Sequence, residues 1–337
     1  MSFVYAVLVR EEQVVGLFYF QVKNFSARES LNYEASSNGT ISAKVKRLAS
    51  SCIEVKGTVF GNLLVTGQHA YYLKPGLITQ DSEWGLVAHT VNEVLKYAKK
   101  TGLPSKVLLC KDFTSSFILT DEAAWKSVKV QPNMVLHLNE EWKSWDDYLN
   151  ALRSKYRKRI RSARRKIQTF EIKTLSVEEI KSNLDRIYEL YLEIVQRAPF
   201  NMFILNRGYF SALKEYLGDN CDFTILEENG HLRAFQINIF NDGKLEAHFL
   251  GYDHQQVSSH DLYLNLLLLS VHKAIEHDCT EVIFSRTAMQ IKSSIGAVPE
   301  DLYLYCFHSN KIVNLLFPRI IDRLNPPVVF DQRHPFK

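Results

Sequence analysis

The sequence predicts an α/β protein with mixed sheets, arranged as two units of similar order. Three observations carry this. Strand-like and helix-like segments follow one another in the same order in both halves of the chain. The turn Asn241-Asp242-Gly243 joins two strands, and such residues accept the positive φ angles of a tight antiparallel hairpin. Gly16-Leu17-Phe18-Tyr19-Phe20-Gln21-Val22 in the first half has a counterpart in Ala234-Phe235-Gln236-Ile237-Asn238-Ile239-Phe240 in the second. With 337 residues, the chain is long enough for two domains, each with its own core.

In the first half, a strand from Phe3 to Leu8, a turn at Glu11-Glu12 and a strand from Val14 to Val22 carry the β-branched and aromatic residues that strands favour. A polar stretch over 23–51, rich in Ser, Asn, Ala and Lys, reads as loop or short helix. A strand region from Ile53 to Leu64 is interrupted by Gly57 and Gly61. Val87, Val91, Val94, Leu95 and Ala98 recur at helical spacing, which predicts a helix from Trp84 to Lys100, ended by Gly102-Leu103-Pro104. A strand from Val107 to Cys110 follows. In the second half, helices over Trp145–Ile167, Val177–Val195 and Tyr209–Leu217 lead into strands over Cys221–Leu226, Leu232–Phe240 and Lys244–Tyr252. A helix from Asp261 to Glu276 and a strand from Glu281 to Phe284 complete the order. The domain boundary is expected between Asn139 and Trp145, giving domains 1–141 and 142–337.

Composition is that of a globular protein, 46% hydrophobic and 23% charged, and a net charge of +4 makes the placement of charge more informative than its total. Cys52, Cys110, Cys221, Cys279 and Cys306 are odd in number and widely spaced, with no CxxC or Cys/His cluster. That pattern predicts reduced thiols in the cytoplasm and no metal site. The longest apolar run, Leu262 to Val271, is interrupted by Asn265 and falls short of the roughly 18 to 20 residues that cross a bilayer. Arg10 follows Met1–Leu8 too closely for a signal peptide, so this segment reads as the first strand of a domain.

Three places carry candidate chemistry. Strict alternation along Lys244–Tyr252 puts Leu245, Ala247, Phe249 and Gly251 on one face and Glu246, His248, Leu250 and Tyr252 on the other. Glu246 and His248 therefore share a face, where either one serves as a general base or the two form a structural hydrogen bond. Histidine is the better base on intrinsic grounds, since it titrates near neutral pH. Arg286 and Lys292 lie just past the strand ending at Phe284. In open α/β sheets ligands bind outside the carboxyl ends of strands, so this cationic pair suits a phosphate or a developing oxyanion. The third place is the segment Leu149–Ile167. Leu149, Leu152, Tyr156, Ile160, Ala163 and Ile167 form an apolar stripe, while Arg153, Lys155, Arg157, Lys158, Arg159, Arg161, Arg164, Arg165 and Lys166 cover the remainder without an acid. Anionic lipid headgroups, a tRNA backbone or the phosphates of a carrier-bound donor each fit this face, as does pairing with acids near Glu178-Glu179. Tyr156 is the only aromatic among the bases, so stacking on single-stranded nucleic acid has little support.

The run Ser285-Arg286-Thr287-Ala288-Met289-Gln290-Ile291-Lys292-Ser293-Ser294-Ile295-Gly296-Ala297-Val298-Pro299, the strand Leu302-Tyr303-Leu304-Tyr305, the ending from Asn325-Pro326-Pro327 to Arg333-His334-Pro335-Phe336, the basic segment Ser154–Arg161 and Ala247–Asp253 together resemble the FemAB-like and BioF-like N-acyltransferases of the GNAT superfamily. The resemblance covers about Trp142 to the C-terminus. It implies tandem GNAT-like domains with the first degenerate, and against that family the chain is expected to start late, without an opening helix. It also implies transfer of an acyl group from an activated thioester or aminoacyl donor to a primary amine, as in a lipid or cell-envelope precursor. On that resemblance His248 or Glu246 is the base, and Arg286, Lys292, Tyr252 and Asp253 bind the donor. Arg157, Arg161, Arg164 and Arg165 hold an anionic surface. Acyl-CoA or acyl carrier protein is the implied donor, but Asp253-His254-Gln255-Gln256-Val257-Ser258-Ser259-His260-Asp261 lacks the glycines with which GNAT enzymes cradle a pyrophosphate. Ser259 or Asp261 would cap the helix that follows. An aminoacyl-tRNA is therefore a further donor, tRNA is otherwise a lesser partner than membrane, and DNA is not expected. The location that follows is cytoplasmic, extended by peripheral attachment to the inner face of the membrane. The competing reading is a GNAT-fold binding protein without catalysis, docking on membrane or nucleic acid through 149–167.

Overall fold

The computed structural model describes residues 1–26, 54–76, 80–102, 106–114, 125–197, 203–324 and 329–337. The expectations for 27–51, Cys52 and Asn325-Pro326-Pro327 lie outside these. Two compact units result, one from the described residues of 1–133 and 300–328, the other from those of 134–299 and 329–337.

The first unit opens with β1 (Ser2–Arg10) and β2 (Gln13–Ser26), paired antiparallel with Ser2 opposite Val22 and Arg10 opposite Gln13. The left-handed Glu11 and Glu12, at φ 49° and 64°, make the turn between them. β3 (Glu54–Phe60) is antiparallel to β2, and β4 (Tyr71–Leu73) also pairs with β2. α1 (Gln80–Lys100) buries Val87, Val91 and Val94 in a core with Phe18, Phe20, Phe60 and Leu108, and Ala98 is buried too, the face that its helical spacing predicts. β5 (Val107–Phe113) runs parallel to β3. β6 (Lys126–His137) was not predicted. It begins half-exposed and then has four consecutive buried residues, Asn133 to Leu136, the first of them polar, before the exposed His137, so neither alternation nor a uniform apolar run marks it.

The second unit takes up β6 from Met134 onward. The expected helix over Trp145–Ile167 is two helices, α2 (Trp145–Ala151) and α3 (Ser154–Arg165). Extended backbone at Leu152 and Arg153 separates them. The C-terminal segment fills this break: Arg153 N–H donates to the Pro335 carbonyl (2.8 Å) and Lys337 N–H to that of Ala151 (3.1 Å). β7 (Glu171–Thr174) follows, unforeseen because it is short and exposed. The expected helix over Val177–Val195 is also divided, into α4 (Val177–Ser182) and α5 (Leu184–Arg197). The first of these starts with a capping box between Ser176 and Glu179 and ends at Asn183. α6 (Gly208–Leu217) leads to β8 (Cys221–Glu228), β9 (His231–Asn241) and β10 (Lys244–Tyr252), all as expected within a few residues. The hairpin turn has Asp242 and Gly243 at φ 49° and 69°. α7 (Val257–His260), α8 (Leu262–Glu276), β11 (Glu281–Ile283) and α9 (Met289–Ser293) complete the stretch. β12 (Val298–His308) and α10 (Lys311–Leu324) then contribute to the first unit from residue 300 on.

Strand order in the first unit is β1-β2-β3-β5-β12-β6, and in the second β6-β11-β10-β9-β8-β7. Within the second sheet only β10 and β11 are parallel. One face of that sheet is covered by α3 and α8 through Leu245, Leu264, Leu267, Leu268, Ile160 and Ala163. The other is covered by α5 and α6 through an aromatic cluster of Tyr191, Phe210, Phe235 and Phe249. A Cβ on Gly251 would lie 2.8 and 2.9 Å from the Leu190 backbone, so only glycine lets α5 pack this closely on β10.

Candidate functional site

The second sheet opens between its two parallel strands. β10 and β11 pair from Lys244 and Glu281 to Glu246 and Ile283, and no further, while β10 continues to Tyr252. Beyond Glu246, the β10 backbone on that side has no strand partner among the described residues. The chain after β11 instead turns through Ser285, Thr287 and Ala288, all left-handed at φ 46° to 66°. Non-glycine residues hold that conformation only where their surroundings enforce it. Here the enforcing group is Lys292. Its Nζ donates to the carbonyls of Phe284 (2.7 Å), Ser285 (3.2 Å) and Arg286 (2.6 Å), and the residue is 3% exposed. Burial draws its pKa down to about 7. The three carbonyls oppose that shift, because a neutral amine has only two N–H groups to offer. All three donors of Lys292 are thus committed to its own loop, which departs from the donor-anchoring role expected of it. Arg286 sits half-exposed on the same turn.

His248 occupies a β-bulge on the open strand, where Ala247 pairs with Asn238 and Phe249 with Ile237. The extra residue shifts the alternation. Leu245 and Ala247 pack toward α8, His248 and Phe249 both turn toward α6, and Leu250 and Tyr252 face α8 again. Glu246 and His248 do leave the core face together, but Tyr252 does not join them. It packs with Tyr263 of α8, which corrects its expected place beside His248. His248 Nε2 is 2.6 Å from the Tyr209 hydroxyl at the start of α6. Desolvation lowers the His248 pKa to about 4 and raises that of Tyr209. At neutral pH the pair is an uncharged imidazole and a protonated phenol; in the tautomer whose Nε2–H donates to the Tyr209 oxygen, Nδ1 keeps a lone pair that can accept a proton. Glu246 is 5% exposed. Tyr209 was missed because nothing in Gly208-Tyr209-Phe210 reveals that α6 lies over the bulge.

Asp253, expected to bind a cofactor, is held inside the fold. Its carboxylate meets Arg233 (3.2 Å) and Arg186 (3.5 Å) and accepts the Gln255 N–H (3.0 Å). Asp261 precedes α8 but makes no side-chain cap, and pairs instead with Lys166 (2.8 Å). Ser259 does not cap α8 either, since its hydroxyl donates to the Gln256 carbonyl.

The basic segment behaves differently. Of its nine bases, only Lys166 forms an ion pair among the described residues. The acids near Glu178-Glu179 do not serve them, as Glu179 closes the cap of α4. Arg157 donates to Asn150 (3.3 Å). Arg161, Arg164 and Arg165 line a pocket of about 530 Å³ whose other walls are Trp145, Leu149, Ile160, Ile167, Gln168, Phe170 and Ile172. Arg164 Nη1 is shielded from solvent and has no hydrogen-bond partner, and burial pulls the guanidinium pKa down. An unpaired buried donor costs about 1–3 kcal/mol, more when charged. Arg157, on the same helix, does not line this pocket.

Residues 77–279, more than half of the chain, match the FemAB-like family, described as peptidoglycan biosynthesis/recognition. The chain belongs to this family. FemX superposes with a TM-score of 0.55 at 12% identity, covering 94% of this chain and 90% of that one. Two more distant matches are L-PGS from Bacillus licheniformis (TM-score 0.46, 13% identity, 80% and 86% covered) and a GCN5-related N-acetyltransferase from Sphaerobacter thermophilus (TM-score 0.45, 11% identity, 88% and 78% covered). No curated protein matches. The α/β fold is that of FemX, as expected for a member of the FemAB-like family. Among the described residues, no helix is long and apolar enough to cross a membrane, and no three His, Cys, Asp or Glu residues gather as a metal site.

Proposed function

We propose that the protein transfers an acyl or aminoacyl group from an activated donor to a primary amine at the open edge of β10. The observation that carries this is the end of β10–β11 pairing at Glu246 and Ile283, which leaves backbone N–H groups beside a bulged His248. Such groups can hold the carbonyl of an extended donor and stabilise the oxyanion formed on attack. His248 accepts the amine proton, with Glu246 on the same face as the second acceptor, and Tyr209 fixes the ring. Arg286, half-exposed on the turn after β11, meets a donor phosphate. The arginine face of α3 then holds the protein at an anionic bilayer, where an amino-lipid or envelope precursor is available.

Acyl-CoA, acyl carrier protein thioesters and aminoacyl-tRNA, each incubated with a panel of primary amines, test the reading through release of thiol or tRNA. His248→Ala lowers kcat by roughly 10² if the imidazole is the base. An unchanged kcat removes His248 from the reaction. A second reading, a binding protein without catalysis, is favoured by the weak basicity that desolvation gives His248. It predicts no turnover with any donor while binding to anionic vesicles persists.

A further inference from the structure

The arginine face of α3 was read above as a surface. Its geometry is that of a pocket, and the pocket is amphipathic. Arg161, Arg164 and Arg165 supply three positive charges with no carboxylate in the lining, and Trp145, Phe170 and Ile172 are among the residues that supply an apolar wall. None of the three arginines has an ion pair or side-chain hydrogen bond among the described residues, and Arg164 keeps Nη1 out of water without a partner. A fold does not retain a desolvated guanidinium N–H without compensation elsewhere, and a bound anion supplies it.

The lining also narrows the class of anion. Besides the arginines only Gln168 and the Trp145 indole N–H are polar, so the site has little with which to read a nucleobase or a sugar. Arginine matches the oxygens of a phosphate through paired N–H donors. The apolar wall asks for a hydrocarbon partner. The volume, about 530 Å³, lies within the range of small-ligand sites.

We propose that this pocket binds a single anionic phospholipid, its phosphate on Arg161, Arg164 and Arg165 and the upper part of one chain against Trp145, Phe170 and Ile172. The proposal rests on reading α3 as an anion-binding face, and it changes that face from a diffuse docking patch to a site that takes one lipid. It is separate from the β10 edge and holds whether or not transfer occurs there.

Calorimetric titration of the full chain with dihexanoyl phosphatidylglycerol below its micellar concentration tests it, with dihexanoyl phosphatidylcholine, inorganic phosphate and UMP as comparisons. Wild type should bind the phosphatidylglycerol saturably and perturb Trp145 fluorescence, and should bind each of the other three at least roughly tenfold more weakly. Arg164→Gln should lose roughly tenfold in affinity through its headgroup contact. Ile172→Trp, at a position 42% exposed and so tolerant of bulk, should fill the pocket and lose as much. Both variants should still sediment with phosphatidylglycerol vesicles, because Arg157, Arg161 and Arg165 remain. Equal binding of phosphate reduces the site to an anion site and overturns the proposal. Equal binding of phosphatidylcholine, tighter binding of UMP, or an Ile172→Trp variant that binds like wild type also overturns it. Vesicle binding without monomer binding removes the pocket and leaves the docking surface. Monomer binding without vesicle binding does the reverse.

Discussion

Lys292 is a buried and Arg164 a half-buried cation of the same unit, and the sequence offers both as anion binders, yet their surroundings are opposite. Lys292 spends its three N–H groups on three carbonyls of one turn. Arg164 has a shielded nitrogen with no partner and a pocket in front of it. A buried charge whose donors are all used inside the fold is a structural clamp, and one whose donors are unused points outward. Proximity to a strand end, the reason for choosing Lys292 from the sequence, does not separate the two cases.

The difference can be broken most directly at Lys292. Lys292→Met leaves three carbonyls without their donor and releases a turn with three left-handed residues, so unfolding free energy should fall by about 3 kcal/mol. Lys292→Arg should not restore it, because a planar guanidinium cannot reach three converging carbonyls as an ammonium does. Denaturant melts measure both. A loss below about 0.5 kcal/mol would mean that the clamp is incidental.

His248 sharpens the same contrast through pH. Its folded pKa of about 4 lies below the unfolded value of about 6.5, so the unfolded chain takes up a proton first as pH falls. The stability it contributes is complete above pH 6.5 and is lost as pH drops toward about 4, by at most about 3 kcal/mol. His248→Gln should flatten that part of the stability profile. A profile unchanged by the substitution would show that the ring is not desolvated.

A smaller effect is expected where the C-terminal segment enters the break between α2 and α3. Phe336 packs on Trp142 and Tyr148 and over Gly296, where even a Cβ would meet its ring at 2.3 Å. Phe336→Ala should cost about 2 kcal/mol. It should also speed hydrogen exchange at the Arg153 amide, which bonds to the Pro335 carbonyl. Unaltered exchange at Arg153 would detach the tail from the helix break.

These residues also show what could be read from the sequence. β8, β9 and β10 were legible because residues and turns close together in the chain set them, above all Asn241-Asp242-Gly243. The face shared by Glu246 and His248 was legible for the same reason, up to the bulge. The break at Leu152 was not, since its cause is the backbone of Pro335 and Lys337, remote in sequence. Nor was Tyr209, which meets His248 only through the packing of α6. In the basic segment the charge and its lack of acids were plain, but the pocket needs Phe170 and Ile172 from beyond the helix to close it.

The smallest expected effect is the most discriminating, because the same substitution is made at both cations. Arg164→Met removes a half-buried guanidinium whose shielded Nη1 is unpaired, and puts a flexible apolar chain among Trp145, Phe170 and Ile172. With no internal hydrogen bond to lose, the ligand-free protein should be unchanged or stabilised, by at most about 1 kcal/mol. That is opposite in sign to Lys292→Met. Stability gained by deleting a charge is the usual mark of a residue kept for binding. Differential scanning calorimetry of the two variants decides it: a Tm for Arg164→Met that falls as far as that of Lys292→Met would make both cations structural and erase the distinction.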